Sequence, residues 1–259
     1  MELEKISFKS RIFDTGQVCP KCGEHILAAK IPFGGSAKTI AKPCSCRSAT
    51  VEAEEQEAKE RRKQALRIQR FQYAKIPEMF TSATLKGYRR LPGTEEAYNT
   101  VKDWLFQRKE NIKSGVGIVL SGPVGCGKTH LGCAILNCIL EDGYTGAFWS
   151  VSENLVMLRP GRSSAENQGD IIDKLYHSRV LLMDDLGSEK PSEWTQAELT
   201  AAFDYRYREK LPTIVTTNLL SSEVRDNCGD RLYSRLMSDR FISVVLQADD
   251  YRQRRDSKP

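Results

Sequence analysis

Gly122-Pro123-Val124-Gly125-Cys126-Gly127-Lys128-Thr129 follows the spacing G-x-x-x-x-G-K-T, and every specified type has a chemical reason to be there. Glycines let successive backbone N–H groups curl around a phosphate, the lysine reaches β and γ oxygens, and the threonine hydroxyl ligates Mg2+. A helix that starts here points its positive end at the anion. A nucleotide site is therefore expected over Gly122 to His130. Further on, Val180-Leu181-Leu182-Met183-Asp184-Asp185 brings two carboxylates to the end of an apolar run. Asp184 is expected on the magnesium side beside Thr129, and Asp185 is the candidate general base for an attacking water. Thr213-Ile214-Val215-Thr216-Thr217 ends in Asn218, an amide that can hold the lytic water or touch the γ-phosphate and is also an ordinary turn residue.

A second constellation lies near the start. Cys19-Pro20-Lys21-Cys22-Gly23 is a tight knuckle whose thiolates can meet one ion, and Cys44-Ser45-Cys46 follows after a 21-residue loop. Together they supply four sulfurs for a structural Zn2+ site. The second pair is unusually close, and His25 stands by as a substitute ligand. A redox role for Cys-x-x-Cys would want a thioredoxin-like strand and helix, which this stretch lacks. Cys126, Cys133, Cys138 and Cys228 read as small core residues.

Elements must hold these groups in place. Gly117 to Ser121 reads as a buried strand leading into the glycine-rich turn, and apolar residues recur at helical spacing over 128 to 141. Further strands are expected at Gly146 to Val151, Val180 to Met183, Thr213 to Thr217 and Phe241 to Leu246, with helices at 95 to 110 and 195 to 209. This alternation implies an α/β domain with a mostly parallel sheet sandwiched by helices. Residues 51 to 75 contain no Gly or Pro and run from acidic to basic, which suits a solvated linking helix or a partner-facing arm. Ile76-Pro77 should end it. Three segments follow: a metal-binding module over 1–50, a helical linker over 51–76 and a nucleotide-binding domain over 77–259.

The 259 residues are 40% hydrophobic and 28% charged, a globular composition. No apolar run approaches the roughly 20 residues that cross a bilayer, and MELEKISFKS has no secretory core, so a cytoplasmic location without membrane contact is expected. The net charge is +5, but residues 1 to 76 hold 15 Lys and Arg against 9 Asp and Glu, so the basic excess belongs to the metal-binding third. That module can dock a protein or a nucleic acid.

The ordered series GPVGCGKTH, LLMDDLGSE, YRYREKLPTIVTTNL, GDRLYSRLMSDRF and DDYR resembles the AAA+ ATPases of the DnaC/DnaI helicase-loader and IstB group over residues 76 to 252. The resemblance implies an AAA+ fold, ATP as the nucleotide, Asn218 as sensor 1 and Arg252 as the sensor 2 arginine. It also implies self-association in which Arg235, or its neighbour Arg231, reaches the γ-phosphate of the next subunit. Asp185 stands where many AAA+ proteins have Glu, and a shorter base would suit a slow switch. In this family the extra N-terminal module resembles one that grips a hexameric replicative DNA helicase.

An ATP-dependent helicase loader that delivers its partner to single-stranded DNA is therefore the leading expectation. Arg159 and Arg162 are the candidates for phosphate attraction and Trp149 for stacking, although the place of Trp149 in FWSVS fits a core strand residue better. An IstB-like transposition ATPase shares the core. A small-molecule P-loop kinase would need acceptor-binding and lid arginines, and a non-hydrolysing adaptor would use ATP only to order the fold. No N-K-x-D motif supports a GTPase.

Overall fold

The computed structural model describes residues 12–33, 36–188, 192–248 and 250. Arg252 lies outside them. The chain divides into two compact units, Met1–Ala65 and Leu66–Pro259.

In the first unit, strands β1 (Ile12–Val18), β2 (His25–Phe33) and β3 (Ser36–Ala41) form an antiparallel meander. Ile12, Ala29 and Ile40 stand opposite one another across it. Helix α1 (Ser45–Ala74) begins directly after Cys44, six residues before the charged run alone would start it, because the Cys44 carbonyl accepts from the N–H groups of Arg47 and Ser48. Exposed Glu57–Arg61 and Glu60–Lys63 pairs lie along it at 3.6 and 3.9 Å, each contributing a few tenths of a kcal/mol. Beyond Ala74, Lys75 turns to a φ of 53° and Pro77 precludes another helical turn.

The last turns of α1 belong to the second unit, where Arg67 pairs with Glu141, Arg70 donates to the Leu140 carbonyl and Ala74 is fully buried. A five-stranded sheet organises this unit: β4 (Gly117–Ser121), β5 (Gly146–Ser150), β6 (Val180–Leu186), β7 (Thr213–Thr217) and β8 (Phe241–Val245), all parallel, in the order β5-β6-β7-β4-β8. Alternation along the strands fills two cores. Ile118, Leu120, Leu182 and Ile214 point to one face, and Val119, Leu181, Met183 and Val215 to the other. Helix α4 (Lys128–Glu141) joins the first core; α5 (Val151–Leu158), α6 (Ala165–His177) and α7 (Glu193–Arg208) supply the second. Because the chain crosses from β4 to β5 and later returns past β4 to β8, the strand order reverses at β4. Such a switch point opens a ligand crevice at the carboxyl ends of the strands.

The expected helix over 95 to 110 is two helices, α2 (Glu95–Phe106) and α3 (Arg108–Ser114), broken at Gln107. Trp149 is only 1% exposed and donates its indole N–H to the Ile171 carbonyl at 3.3 Å. It is a core residue and cannot stack on a base, whereas Arg159 and Arg162 are exposed beyond α5. Among the described residues no helix is long and apolar enough to cross a membrane.

Arg206, near the end of α7, is buried with no carboxylate partner among the described residues. Its guanidinium donates to Thr213 Oγ1 and to the carbonyls of Leu175, Ser178 and Pro212 at 2.9–3.2 Å. Burial, helped by nearby Arg179, pulls its pKa down to about 9, so it remains a cation at neutral pH. Arg206→Ala would orphan four acceptors and open a cavity, outweighing the relief of a desolvated charge. A loss of about 3 kcal/mol in urea unfolding is expected. Arg206→Lys should recover little of it, because one ammonium cannot meet four dispersed acceptors.

Candidate nucleotide site and cysteine cluster

Strand β4 delivers the chain into the glycine-rich turn. Gly127 has a φ of 95°, and a Cβ there would lie 2.7 Å from the ring of Tyr88, whose hydroxyl donates to the Cys126 carbonyl at 3.0 Å. Only glycine fits against this strut. Gly125 has a φ of 79°, and a Cβ there would collide with the Asp250 carboxylate. Pro123 and Val124 are exposed, and Cys126 is buried in the core. His130 lies to the side, its Nε2 3.1 Å from the Thr84 carbonyl and its ring 5.6 Å from that of Tyr88.

Lys128, in the first turn of α4, is buried. Its ammonium donates to the carbonyls of Gly122 at 2.9 Å and Pro123 at 2.8 Å, and to Asn218 Oδ1 at 2.8 Å. Burial lowers its pKa, opposed by the charges of Cys126, Asp185 and Asp184.

Strand β7 lies between β4 and β6. Asn218 at its tip therefore faces both the lysine and the acids, donating from Nδ2 to Asp185 Oδ1 at 2.6 Å. Oxygen toward Lys128 and nitrogen toward Asp185 is the one amide orientation that satisfies both contacts. In a regular strand neighbouring side chains point to opposite faces. Asp184 and Asp185 nonetheless gather at one site, because the register of β6 shifts between Met183 and Leu186 and Asp185 adopts a φ of 61°. The acids thus lie inside the strand at an irregularity and do not follow it. Thr216 locks this bend: its hydroxyl accepts from the Asp185 N–H at 2.9 Å and donates to Asp184 Oδ1 at 2.6 Å. Asp184 also hydrogen-bonds Thr129. Burial raises the Asp184 pKa, while the bonds from Thr216 and Thr129 hold the rise back. The Thr129 hydroxyl and the Asp184 carboxylate are already in contact, two oxygen ligands that could both hold Mg2+.

Lys128, Thr129, Asp184, Asp185 and Asn218 thus come together. Arg231 and Arg235 do not join them within this chain. Both sit on α9 (Asp230–Leu236), which follows α8 (Ser221–Cys228), and pair with Asp204 of α7. Thr216 and Tyr88 carry no motif of their own and were not singled out by the sequence. Thr216 could have been suspected from its place two residues before Asn218 on a strand flanking the acids.

In the first unit the sulfurs of Cys19, Cys22, Cys44 and Cys46 all lie within 4.8 Å of one another. Tetrahedral coordination with bonds near 2.3 Å places sulfurs about 3.8 Å apart. Cys19 and Cys46 are 3.7 Å apart, Cys44 and Cys46 3.3 Å. Hydrogen bonds from the backbone N–H groups of Cys22 and Lys21 lower the Cys19 thiol to about 6, while hydrogen bonds with the Cys44 and Cys22 sulfurs push Cys46 up to about 12. Such crowded sulfurs suit a shared cation. The knuckle is closed by Gly23 N–H to the Cys19 carbonyl at 2.9 Å. His25 instead pairs with Asp14 at 2.8 Å, so the set is four cysteines without histidine.

The family model described as "IstB-like ATP binding protein" matches residues 47–259. The replicative helicase loader DnaC of Escherichia coli (strain K12) is 26% identical over 200 residues, covering 76% of this chain and 80% of that protein. The replicative helicase loader DnaI of Bacillus subtilis (strain 168) is 28% identical over 137 residues, 52% of this chain and 43% of that one. In fold, a crystal structure of DnaI aligns with a TM-score of 0.58 at 22% identity over 68% of this chain and 94% of the other. The AMPPCP-bound DnaA of Aquifex aeolicus gives 0.52 at 28% identity, with this chain spanning half of that one. The switch-point crevice, the phosphate-binding turn and the paired acids are thus a P-loop AAA+ site, and the chain belongs to the family of IstB-like ATP-binding proteins, homologous to the DnaC and DnaI helicase loaders.

Proposed function

We propose that this chain is an ATP-hydrolysing loader that docks a hexameric replicative DNA helicase through its cysteine module and delivers it to single-stranded DNA. The observation that carries the ATPase half is the continuous link Lys128–Asn218–Asp185. It couples the group that meets the γ-phosphate to the group that takes the proton from water. Lys128 leaves the Gly122 and Pro123 carbonyls to meet phosphate oxygens. Asn218, released from Lys128, keeps Asp185 aimed at the water. Asp185 accepts the proton at Oδ1 or Oδ2, and the Asp185 backbone is held by Thr216. Mg2+ held by Thr129 and Asp184 supplies neutralisation of phosphate charge. Gly122 to His130 wrap the nucleotide, Arg252 reads it from the C-terminal segment, and Arg235, with Arg231 beside it, acts on the nucleotide of a second copy of the chain. A carboxylate shorter than Glu makes turnover slow, suiting a switch that the partner and DNA regulate.

Zn2+ on Cys19, Cys22, Cys44 and Cys46 shapes the docking module. Arg159 and Arg162 supply exposed positive charge for single-stranded DNA. The helicase half is supported by the relatives named as replicative helicase loaders. Size-exclusion chromatography of the full chain with the purified hexameric helicase of its host tests it. A complex that forms with ATP and transfers helicase to circular single-stranded DNA is expected. Failure to bind the helicase, together with binding to a transposase, would replace this function by the transposition reading.

A further inference from the structure

Asp204 lies on α7 with its carboxylate only 17% exposed, and it serves two arginines at once. Its Oδ2 accepts from Arg231 Nη2 at 2.8 Å and its Oδ1 from Arg235 Nε at 2.8 Å. The arginines are four residues apart on α9, so they share one helix face and repel each other. A single carboxylate between them leaves a net positive charge. The two contacts differ in kind. Arg235 is held by Nε and by the ring of Tyr207, 4.9 Å from its guanidinium carbon. That hold fixes the guanidinium plane while the Nη fork makes no other hydrogen bond among the described residues. The fork is the part that grips phosphate oxygens in pairs. The side chains of Arg231 and Arg235 are 77% and 40% exposed. Asp204 and Arg231 also line an open cleft of about 640 Å³ beside α7 and α9.

We propose that Asp204 is a positioning residue that holds Arg231 and Arg235 on one carboxylate and orients the Arg235 fork for the γ-phosphate bound at the glycine-rich turn of a second copy of this chain. This rests on the reading above that Arg235 acts between subunits. Without Asp204 the two guanidiniums would repel without a mediator, and Arg235 would keep only Tyr207 as a guide. A misplacement of about 1 Å in a charge-stabilising group costs up to about 100-fold in rate.

The test measures steady-state ATP turnover and equilibrium ATP affinity for full-length Asp204→Ala, Asp204→Asn, Arg235→Ala and Lys128→Ala, alone and in equimolar mixtures. For Asp204→Ala we expect turnover about 10- to 100-fold lower with nucleotide affinity unchanged. Asp204→Asn, which keeps an acceptor, should be intermediate. Mixing Asp204→Ala with Lys128→Ala should restore part of the turnover, since the latter lends an intact Asp204–Arg235 pair to the former's intact phosphate loop. A residue that merely stabilised its own subunit would show no such rescue. Wild-type turnover in Asp204→Ala overturns the proposal. So does rescue of Arg235→Ala by Lys128→Ala without rescue of Asp204→Ala. If neither mixture recovers, the inter-subunit arginine itself has failed and the proposal falls with it. Should Asp204→Ala not fold, the same mixing experiment is decided on Asp204→Asn.

Discussion

Stripping the Zn2+ proposed for the four-cysteine cluster with a strong chelator is expected to unfold β1–β3 while the second unit stays folded. Among the described residues of the first unit, Ala28 and Cys44 are the only buried apolar side chains, whereas Ile12, Val18 and Ile40 are at least half exposed. Two small side chains contribute a few kcal/mol at most by burial. Fixing each residue's backbone costs about 1–2 kcal/mol, so a meander of this size cannot hold itself. A structural Zn2+ contributes on the order of 10–16 kcal/mol in small domains. Its loss would free Cys44 and Cys46, at the start of α1, from Cys19 and Cys22 and so remove the link between the knuckle and the helix. The expected readings are one metal per chain by elemental analysis, collapse of the β1–β3 amide dispersion in NMR spectra on chelation, and ATP turnover in the absence of partner unchanged. A dispersed β1–β3 spectrum after complete metal removal would show that the cluster is incidental. Helicase binding should be lost with the fold of the module, which separates docking from hydrolysis in one protein.

The limits of sequence reasoning here are physical. The phosphate turn, β4, α4 and β7 were legible because their signals are local: glycines at required positions, apolar spacing at period 3.6 or 2, and a motif bounded by both. The bend at Asp185 was not legible. A φ of 61° and a register shift come from the Thr216 hydroxyl on a neighbouring strand, 31 residues away. Asp204 escaped for the same reason, since its meaning depends on two arginines brought to it from α9. Arg206 looked like one more charge in YRYREK, yet it is sealed inside by three carbonyls, two from the end of α6 and one from Pro212 before β7. Trp149 shows the converse: its strand pattern favoured the core, and the aromatic type alone suggested DNA. The helix α1 starts early because Cys44 caps it, an effect invisible to a count of charges over 51 to 75.

Asp185→Asn should separate binding from chemistry in the ATPase site. General-base contributions are about 100- to 10,000-fold, and turnover should fall by that order while ATP affinity stays close to wild type. The substitution keeps shape. An Asn oxygen can still accept from Asn218 Nδ2, now at 2.6 Å, and Asn tolerates the left-handed conformation that Asp185 adopts. The backbone N–H of residue 185 continues to bond Thr216, so Asp184 and Thr129 keep their places for Mg2+. What is lost is the second anionic oxygen and with it the proton acceptor. Lys128→Ala gives a different pattern, with affinity and turnover failing together, because the ammonium contributes to the ground state as well as to the transition state. Asp185→Glu completes the series. It lengthens the base by a methylene and restores the residue common in AAA+ proteins, but a Glu at a φ of 61° carries about 1 kcal/mol or more of backbone strain. If that strain is met by the Thr216 bond, turnover should exceed wild type, marking the short acid as the cause of a slow switch. If Asp185→Asn turns over at the wild-type rate, the base lies elsewhere, and Asp184 with its raised pKa becomes the group to examine.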